Sequence, residues 1–408
     1  MGFVCEALLL KNMHLSFLFY PHPMQTSDPA TSLPLDTQPK TRYHHLTSTD
    51  VKMASAIPTR IIVLSDTHGD GLNKDCLAAA DVVLHCGDLT EESKLHEFET
   101  AIATLKTLHA PVKLVIAGNH DFTLDIPTFR TKLAAITPPL DAPLVQREYG
   151  GFGEARALFE RADVVQAGIR LLGEGTHRIG LANGALLTVY ASPYTASLSA
   201  DWGFQYLPEH DHVWDIQPDT DIVITHGPPK GMLDRAEGGT RCGSESLFAA
   251  VARARPLVHC FGHIHEGWGA RKVHWNEALT SSPSHFTSID NARSVSVESL
   301  AGINPSKYDD AAAIAEKRLK LDGYRKQGYC SATDCSVKRG QQTLFVNASI
   351  EGRDEDQQQL PWLVTIDLAS GGDSSAPATA CLKRKRDHAS DTHVSGGAEE
   401  KKKACRAV

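Results

Sequence analysis

The sequence predicts an α/β fold, and three observations carry that prediction. Short, β-branched apolar runs recur along the 408 residues. Amphipathic helical stretches separate several of these runs. Polar residues collect just after them, where α/β proteins build sites outside the carboxyl ends of their strands. The length suffices for one large or two small domains with a substantial core.

The elements follow in order. Residues 60–65 are a compact apolar run of the kind buried in parallel sheets, ending in Asp66, Thr67, His68, Gly69 and Asp70. Residues 81–86 repeat the pattern and end in Gly87, Asp88, Leu89 and Thr90. Residues 91–108 place Leu95, Phe98, Ile102, Leu105 and Leu108 at helical spacing, with Thr90 as the expected cap. A third strand, 112–117, ends in Gly118, Asn119, His120 and Asp121. Residues 127–153 are Pro-rich and read as a loop-like excursion, 154–161 as a short helix, and 164–172 and 186–191 as β-like runs. Tyr194, Trp202 and Phe204 belong to an aromatic loop that either packs on itself or stacks on a base.

A strand at 221–225 ends in His226, Gly227, Pro228 and Pro229, a rigid exit that would fix the histidine. An amphipathic helix at 244–255 leads to a strand at 257–261 and then to Gly262, His263, Ile264 and His265. Histidines at i and i+2 share one face of an extended segment. On a helix of about 3.6 residues per turn they would diverge by roughly 200°. Residues 270–340 are rich in Ser, Ala and Lys and read as a long, partly disordered insertion with one helix at 309–327. Closing strands are expected at 343–348 and 362–366. The expected organisation is a disordered segment 1–57, a folded region 58–369 and a disordered basic tail 370–408, with Met53 as an alternative start.

Composition narrows the function classes. With 41 basic and 49 acidic residues the chain carries −8, so nucleic acid is not the expected partner. Nine scattered Cys without CxxC pairs suit a reducing compartment. The apolar N-terminal runs are broken by Lys11, Asn12, His14 and Ser16, far short of the ~20 apolar residues of a membrane span. They also lack a basic n-region and an A-x-A-like cleavage site, so neither a secretory signal nor a membrane partner is expected. Residues 383–386 and 401–403 are basic clusters around a 14-residue spacer. They suit a bipartite nuclear signal and a solvated tail equally, so the expected location is cytoplasmic or nuclear.

The polar strand ends hold Asp66, His68, Asp88, Asn119, His226, His263 and His265, with no thiolate among them. This oxygen and nitrogen set suits two divalent transition-metal ions, Mn, Fe or Zn. Seven donors exceed what one tetrahedral ion uses. Two ions about 3.5–4 Å apart and sharing a carboxylate can clamp a phosphoryl group. His85 and His259 lie inside apolar runs and read as strand residues, and Cys86 and Cys260 as packing residues.

These words, in this order, resemble the calcineurin-like metallophosphoesterase superfamily. The fuller stretches at 65–68, 85–90, 225–229 and 261–267 resemble its metallophosphoesterase-domain-containing branch, which includes cyclic-nucleotide phosphodiesterases. The resemblance covers about residues 58–270 and the strand holding Asn347. It implies a four-layer α-β-β-α sandwich and a binuclear phosphoesterase. Metal 1 would take Asp66, His68, Asp88 and His265, and metal 2 would take Asp88, Asn119, His226 and His263. The implied reaction is hydrolysis of small-molecule phosphodiesters, cyclic nucleotides among them, by a hydroxide bridging the ions. In this scheme Asn119 and His120 contact the phosphate, His120 protonates the leaving oxygen, and Asp121 orients His120. Some relatives lack the first histidine of the Gly-His-x-His word. This chain keeps His263, so both positions are expected to fill. A phosphomonoesterase or protein phosphatase would use the same chemistry. A non-catalytic scaffold would be signalled by lost ligands, and a nuclease by a basic channel that the catalytic half lacks.

Overall fold

Ile61 and Val63 face one side of the first strand and Ile62 and Leu64 the other, and all four are buried. A strand with two apolar faces needs a layer on each, and that requirement organises the molecule. The computed structural model describes residues 56–72, 78–198, 201–278, 280–333, 336–352 and 358–371. The expected N-terminal segment before residue 56, Met53 included, and the basic tail beyond residue 371 lie outside them.

In chain order the elements are β1 (Ile57–Leu64), β2 (Val82–His85), α1 (Leu95–Thr107), β3 (Val112–Val115), α2 (Ile126–Ala135), α3 (Ala142–Tyr149), α4 (Glu154–Leu158), α5 (Ala162–Gln166) and β4 (Ile169–Leu171). Next come β5 (Gly175–Gly180), β6 (Leu186–Ser192), β7 (Thr195–Ala196), β8 (Gln205–Tyr206), β9 (Ile222–Thr225), α6 (Glu245–Ala254) and β10 (Val258–Phe261). Then follow β11 (Gly269–Trp275), β12 (Ile289–Ser299), α7 (Ala311–Gln327), β13 (Cys330–Ser331), β14 (Gln342–Asn347) and β15 (Trp362–Leu368).

One sheet runs β13-β15-β1-β2-β3-β4 and the other β12-β11-β14-β10-β9-β6-β5. In the first, β1 to β4 are parallel and β15 lies antiparallel to β1. In the second, β6, β9, β10 and β14 are parallel. The sheets face each other across a core that joins Ile61, Val63 and Leu84 to Val189, Ile224, Cys260 and Val346. On the outer face of the first sheet, α1 buries Phe98, Ile102 and Leu105 against Ile62, Leu64 and Val83. On the outer face of the second, α6 buries Leu247, Phe248 and Val251 with Phe261 and Phe345. The expected four-layer α-β-β-α sandwich is what forms.

Several local expectations need correction. Thr90 does not cap α1, which begins after Lys94. The Glu97 carboxylate accepts from the amides of Glu92 and Lys94 at that end, while Thr90 turns inward to Asp121. The Pro-rich stretch 127–153 is helical over 127–135 and 142–149, because Pro127 and Pro143 sit in the first turns of α2 and α3, where a missing amide costs nothing. The β-like run at 164–172 divides between α5 and β4. Its Val164 packs beneath α1, and helical period and strand period are indistinguishable over so few residues. The strand β5 carries little strand signal, since only Ile179 of its six residues is buried and it has no other large apolar side chain.

The largest correction concerns 270–340. Instead of a loop-like insertion it supplies β11, which pairs with β14, and β12, which pairs with β11. Its exposed positions on β12 made it look polar, as expected of an edge strand with one solvated side. The helix expected at 309–327 is α7, capped by the Asp310 side chain.

Candidate metal centre

The parallel strands β1, β2, β3, β9, β10 and β14 deliver their carboxyl ends to one edge of the sandwich. The chain must turn sharply as it leaves each of them. Asp66, His68, Asp88 and His263 all take positive φ, between 45° and 67°, in the left-handed region that costs a non-glycine residue about 1–2 kcal/mol. Strain of this kind survives only where surrounding bonds over-determine it. Here they do: the amides of Asp66 and Thr67 donate to the carbonyls of Gly87 and Asp88, and the amide of His263 donates to the Asp66 carboxylate.

Two glycines permit the close approach. A Cβ on Gly118 would lie 2.2 Å from Asp88 Oδ1, and one on Gly262 would lie 1.9 Å from Asp66 Oδ2. Any larger residue would displace the carboxylates themselves.

All seven expected ligands converge. Donor atoms of Asp66, His68 and His265 lie within 4.8 Å of one another, as do those of Asp88, His226 and His263. Asp88 Oδ2 stands 3.1 Å from His226 Nε2 and 3.9 Å from His68 Nε2, between the two groups. Asn119 Oδ1 is 2.9 Å from His226 Nε2. On the other side of that ring, Nδ1 lies 2.9 Å from the Cys86 carbonyl, so it carries the proton and donates. In the neutral ring Nε2 would meet two oxygen acceptors with its lone pair, so that nitrogen must carry either a second proton or a cation.

His68 makes the same point: its ring nitrogens are buried without a hydrogen-bond partner. Nδ1 is 2.7 Å from Glu91 Oε2 and Nε2 is 3.0 Å from Glu351 Oε2, but neither contact is aligned as a hydrogen bond. The donor set therefore fits divalent ions.

The electrostatics agree. Burial raises the Asp66 carboxyl, yet the hydrogen bond and charge of His265 outweigh it and hold Asp66 well below the usual carboxylate range. Asp88 is likewise raised by burial and pulled below the normal range by His226 and His120. Burial lowers His226, but the Asp88 carboxylate lifts it to about 9. His263 is pushed down to about 3 by burial and by neighbouring His226.

Around the expected acid, one role changes. His120 Nδ1 lies 2.7 Å from the Glu91 carbonyl, and its ring stacks on Trp202 at 4.5 Å and 24°. Asp121 does not orient that ring. Its buried carboxylate accepts from the amides of Gly118, Leu89 and Thr90 and from the Thr90 hydroxyl. It ties the third strand's loop to the second's, and burial beside Asp88 raises its pKa to about 6. The reason is directional: consecutive side chains at 120 and 121 leave the turn on opposite sides.

Sequence reasoning did not find Glu91, Trp202 as the stacking partner of His120, or Ser349, whose hydroxyl donates to Asp66 Oδ2 at 2.8 Å. Glu91 follows the second motif directly, and that adjacency was the available signal. His85 and His259 are the expected strand residues, pairing with Thr67 and Thr225. Cys86 and Cys260 are buried free thiols. Among the described residues no helix is long and apolar enough to cross a membrane.

A family model described as calcineurin-like phosphoesterase matches residues 59–267. Among curated proteins, "Probable rhamnogalacturonate lyase C" of Emericella nidulans is 33% identical over 53% of this chain, a stretch amounting to 18% of that protein. "UPF0046 protein T07D4.2" of Caenorhabditis elegans is 30% identical over 52% of this chain and 52% of its own length. "Metallophosphoesterase domain-containing protein 1" of Homo sapiens is 33% identical over 52% of this chain and 62% of its own length. Each match thus spans less than two thirds of the relative concerned.

Proposed function

Because the chain belongs to the calcineurin-like phosphoesterase family, we propose that it hydrolyses small-molecule phosphate esters, phosphodiesters above all, at a centre holding two divalent ions. Cyclic nucleotides fall within that class. The single observation that carries the binuclear reading is Asp88, whose Oδ2 stands between His226 at 3.1 Å and His68 at 3.9 Å. A carboxylate placed between two imidazole groups can serve both.

Asp66, His68 and His265 would hold one ion, and Asn119, His226 and His263 the other, with Asp88 shared. Bound divalent ions supply Lewis acidity, lowering the pKa of water from about 15.7 toward about 7 and neutralising phosphate charge. The chain's own residues do the rest. The Glu91 carbonyl fixes the proton of His120 on Nδ1, and Trp202 holds the ring plane. This leaves Nε2 to face the phosphate, and once the ring has taken a second proton from solvent, Nε2 can pass it to the departing oxygen, a contribution typically worth about 10²–10⁴-fold. Asp121 holds the loop that carries Asn119 and His120.

Metal-reconstituted protein should hydrolyse bis-p-nitrophenyl phosphate faster than p-nitrophenyl phosphate. The reverse preference would make it a phosphomonoesterase, and protein that binds metal but cleaves neither would be a scaffold. His120→Ala should lose turnover and keep its metal. A cytoplasmic or nuclear location remains part of the same proposal.

A further inference from the structure

The chain leaving β14 runs alongside Asp66, and its sequence alternates: Asn347, Ala348, Ser349, Ile350, Glu351. Ala348 and Ile350 are buried in the two cores, and Asn347 and Ser349 are buried as well, so the segment runs through the interior until Glu351. The path is fixed by backbone bonds. The Ile350 amide donates to the Ser65 carbonyl at 2.8 Å, and the Glu351 amide donates to the Asp66 carbonyl at 3.1 Å. The Gln359 side-chain amide donates to the Glu351 carbonyl at 2.8 Å. Each polar side chain along this rail has a task. The Asn347 amide donates to the Ile264 carbonyl, which shapes the turn between His263 and His265. Ser349 donates to Asp66. Glu351 reaches over the first metal position.

We infer that Glu351 is a further metal ligand, adding a carboxylate to Asp66, His68 and His265 at the first position. Its Oε2 lies 3.0 Å from His68 Nε2 and 3.6 Å from His265 Nδ1. A second observation points the same way: His68, with its side chain 9% exposed, aims both ring nitrogens at carboxylates without making a hydrogen bond to either. Glu91 faces Nδ1 from the outside, the place of an orienting carboxylate, and Glu351 faces Nε2, the nitrogen nearer Asp88. Asp66, His68 and His265 form one donor group and His68, Glu91 and Glu351 another, so His68 is the ligand they share, and a cation on its Nε2 would draw Glu351 Oε2 toward the first group. The Glu351 side chain is also half exposed, at 44%, so it can yield its place to a phosphate oxygen. The second position has no such carboxylate beyond Asp88 among the described residues.

The inference rests on the phosphoesterase reading for the presence of metal, and one experiment separates the two. Wild type, Glu351→Gln and Glu351→Asp are each stripped and titrated with Mn²⁺ or Zn²⁺, and bound metal is counted by mass spectrometry after dialysis, with circular dichroism as the check on folding. The expected result is two ions in wild type, with one of them bound more than about 100-fold more weakly in both variants and the other unchanged. A loss within the roughly 10–100-fold that an orienting carboxylate costs would overturn the assignment as a ligand. Aspartate keeps the charge but is one methylene too short to reach. Wild-type affinity in Glu351→Asp with loss only in Glu351→Gln would reduce Glu351 to a through-space charge and overturn its role as a ligand. Unchanged affinity in both variants overturns it outright. A wild type that binds no metal overturns the phosphoesterase reading and the inference with it.

Discussion

The two halves of the centre are built differently. Around Asp88, Asn119, His226 and His263 nearly everything is buried and tied to backbone. His226 is fully enclosed and donates to the Cys86 carbonyl, and Asp88 accepts from the His120 amide. Around Asp66, His68 and His265 the aspartate and the His68 ring are enclosed, but His265 is 26% exposed, and the imidazoles look toward two half-exposed carboxylates, Glu91 and Glu351. The first construction is rigid because strands and glycines dictate it. The second leaves one wall adjustable. A centre that must both hold an ion and admit a phosphate gains from having one half of each kind.

Removing the residue the halves share should do most damage. Asp88→Ala is expected to lower turnover by at least about 10³-fold, or about 4 kcal/mol, because both ions lose a ligand. Steady-state kinetics with metal analysis checks this, and loss of one ion alone would mean the halves are independent.

The contrast itself is tested next by His226→Ala against His265→Ala in metal-free protein. The enclosed His226 ring should cost about 2–5 kcal/mol in denaturant melts, as large-to-small changes in packed interiors do, and the 26%-exposed His265 less, chiefly through the Asp66 carboxylate it leaves unpaired. Equal costs would erase the distinction drawn here.

Gly262→Ala, whose Cβ would press on Asp66, should destabilise by about 1–3 kcal/mol and weaken binding at the first position before the second. Differential metal titration reads the order of loss.

The smallest effect lies away from the centre, at His259, which burial pushes down to about 3. A histidine depressed below its unfolded value of about 6.5 stabilises the fold above that pH. The contribution is lost as pH falls, by about 2 kcal/mol between pH 6.5 and 5. His259→Gln keeps a donor for Thr225 and should flatten that acid slope in melts of metal-free protein. An unchanged slope would assign the acid sensitivity to the centre instead.

What could be read in advance was whatever is local. β1, β2, β3, β9 and β10 are short apolar runs that end in polar words, and a strand that ends must present its next residues at the sheet edge. That is why Asp66, Asp88, Asn119, His226 and His263 were legible one motif at a time. Other features depend on partners far away in the chain. Ser349 meets Asp66 across 283 positions, and Trp202 meets His120 across 82. Nothing in a window of ten residues marks either. The same holds for β11 and β12, whose polar composition fits an edge only once β14 is there to pair with.

By itself, then, the sequence determined the α/β class, the strands β1, β2, β3, β9 and β10 and the seven donors at strand ends, because periodicity and strand termini are properties of short stretches. Tertiary structure alone decided that Asp121 braces a loop while Glu91 and Trp202 hold His120, and that Glu351 arrives beside His68. Those outcomes depend on where separate strands come to rest, and packing of the two sheets settles that.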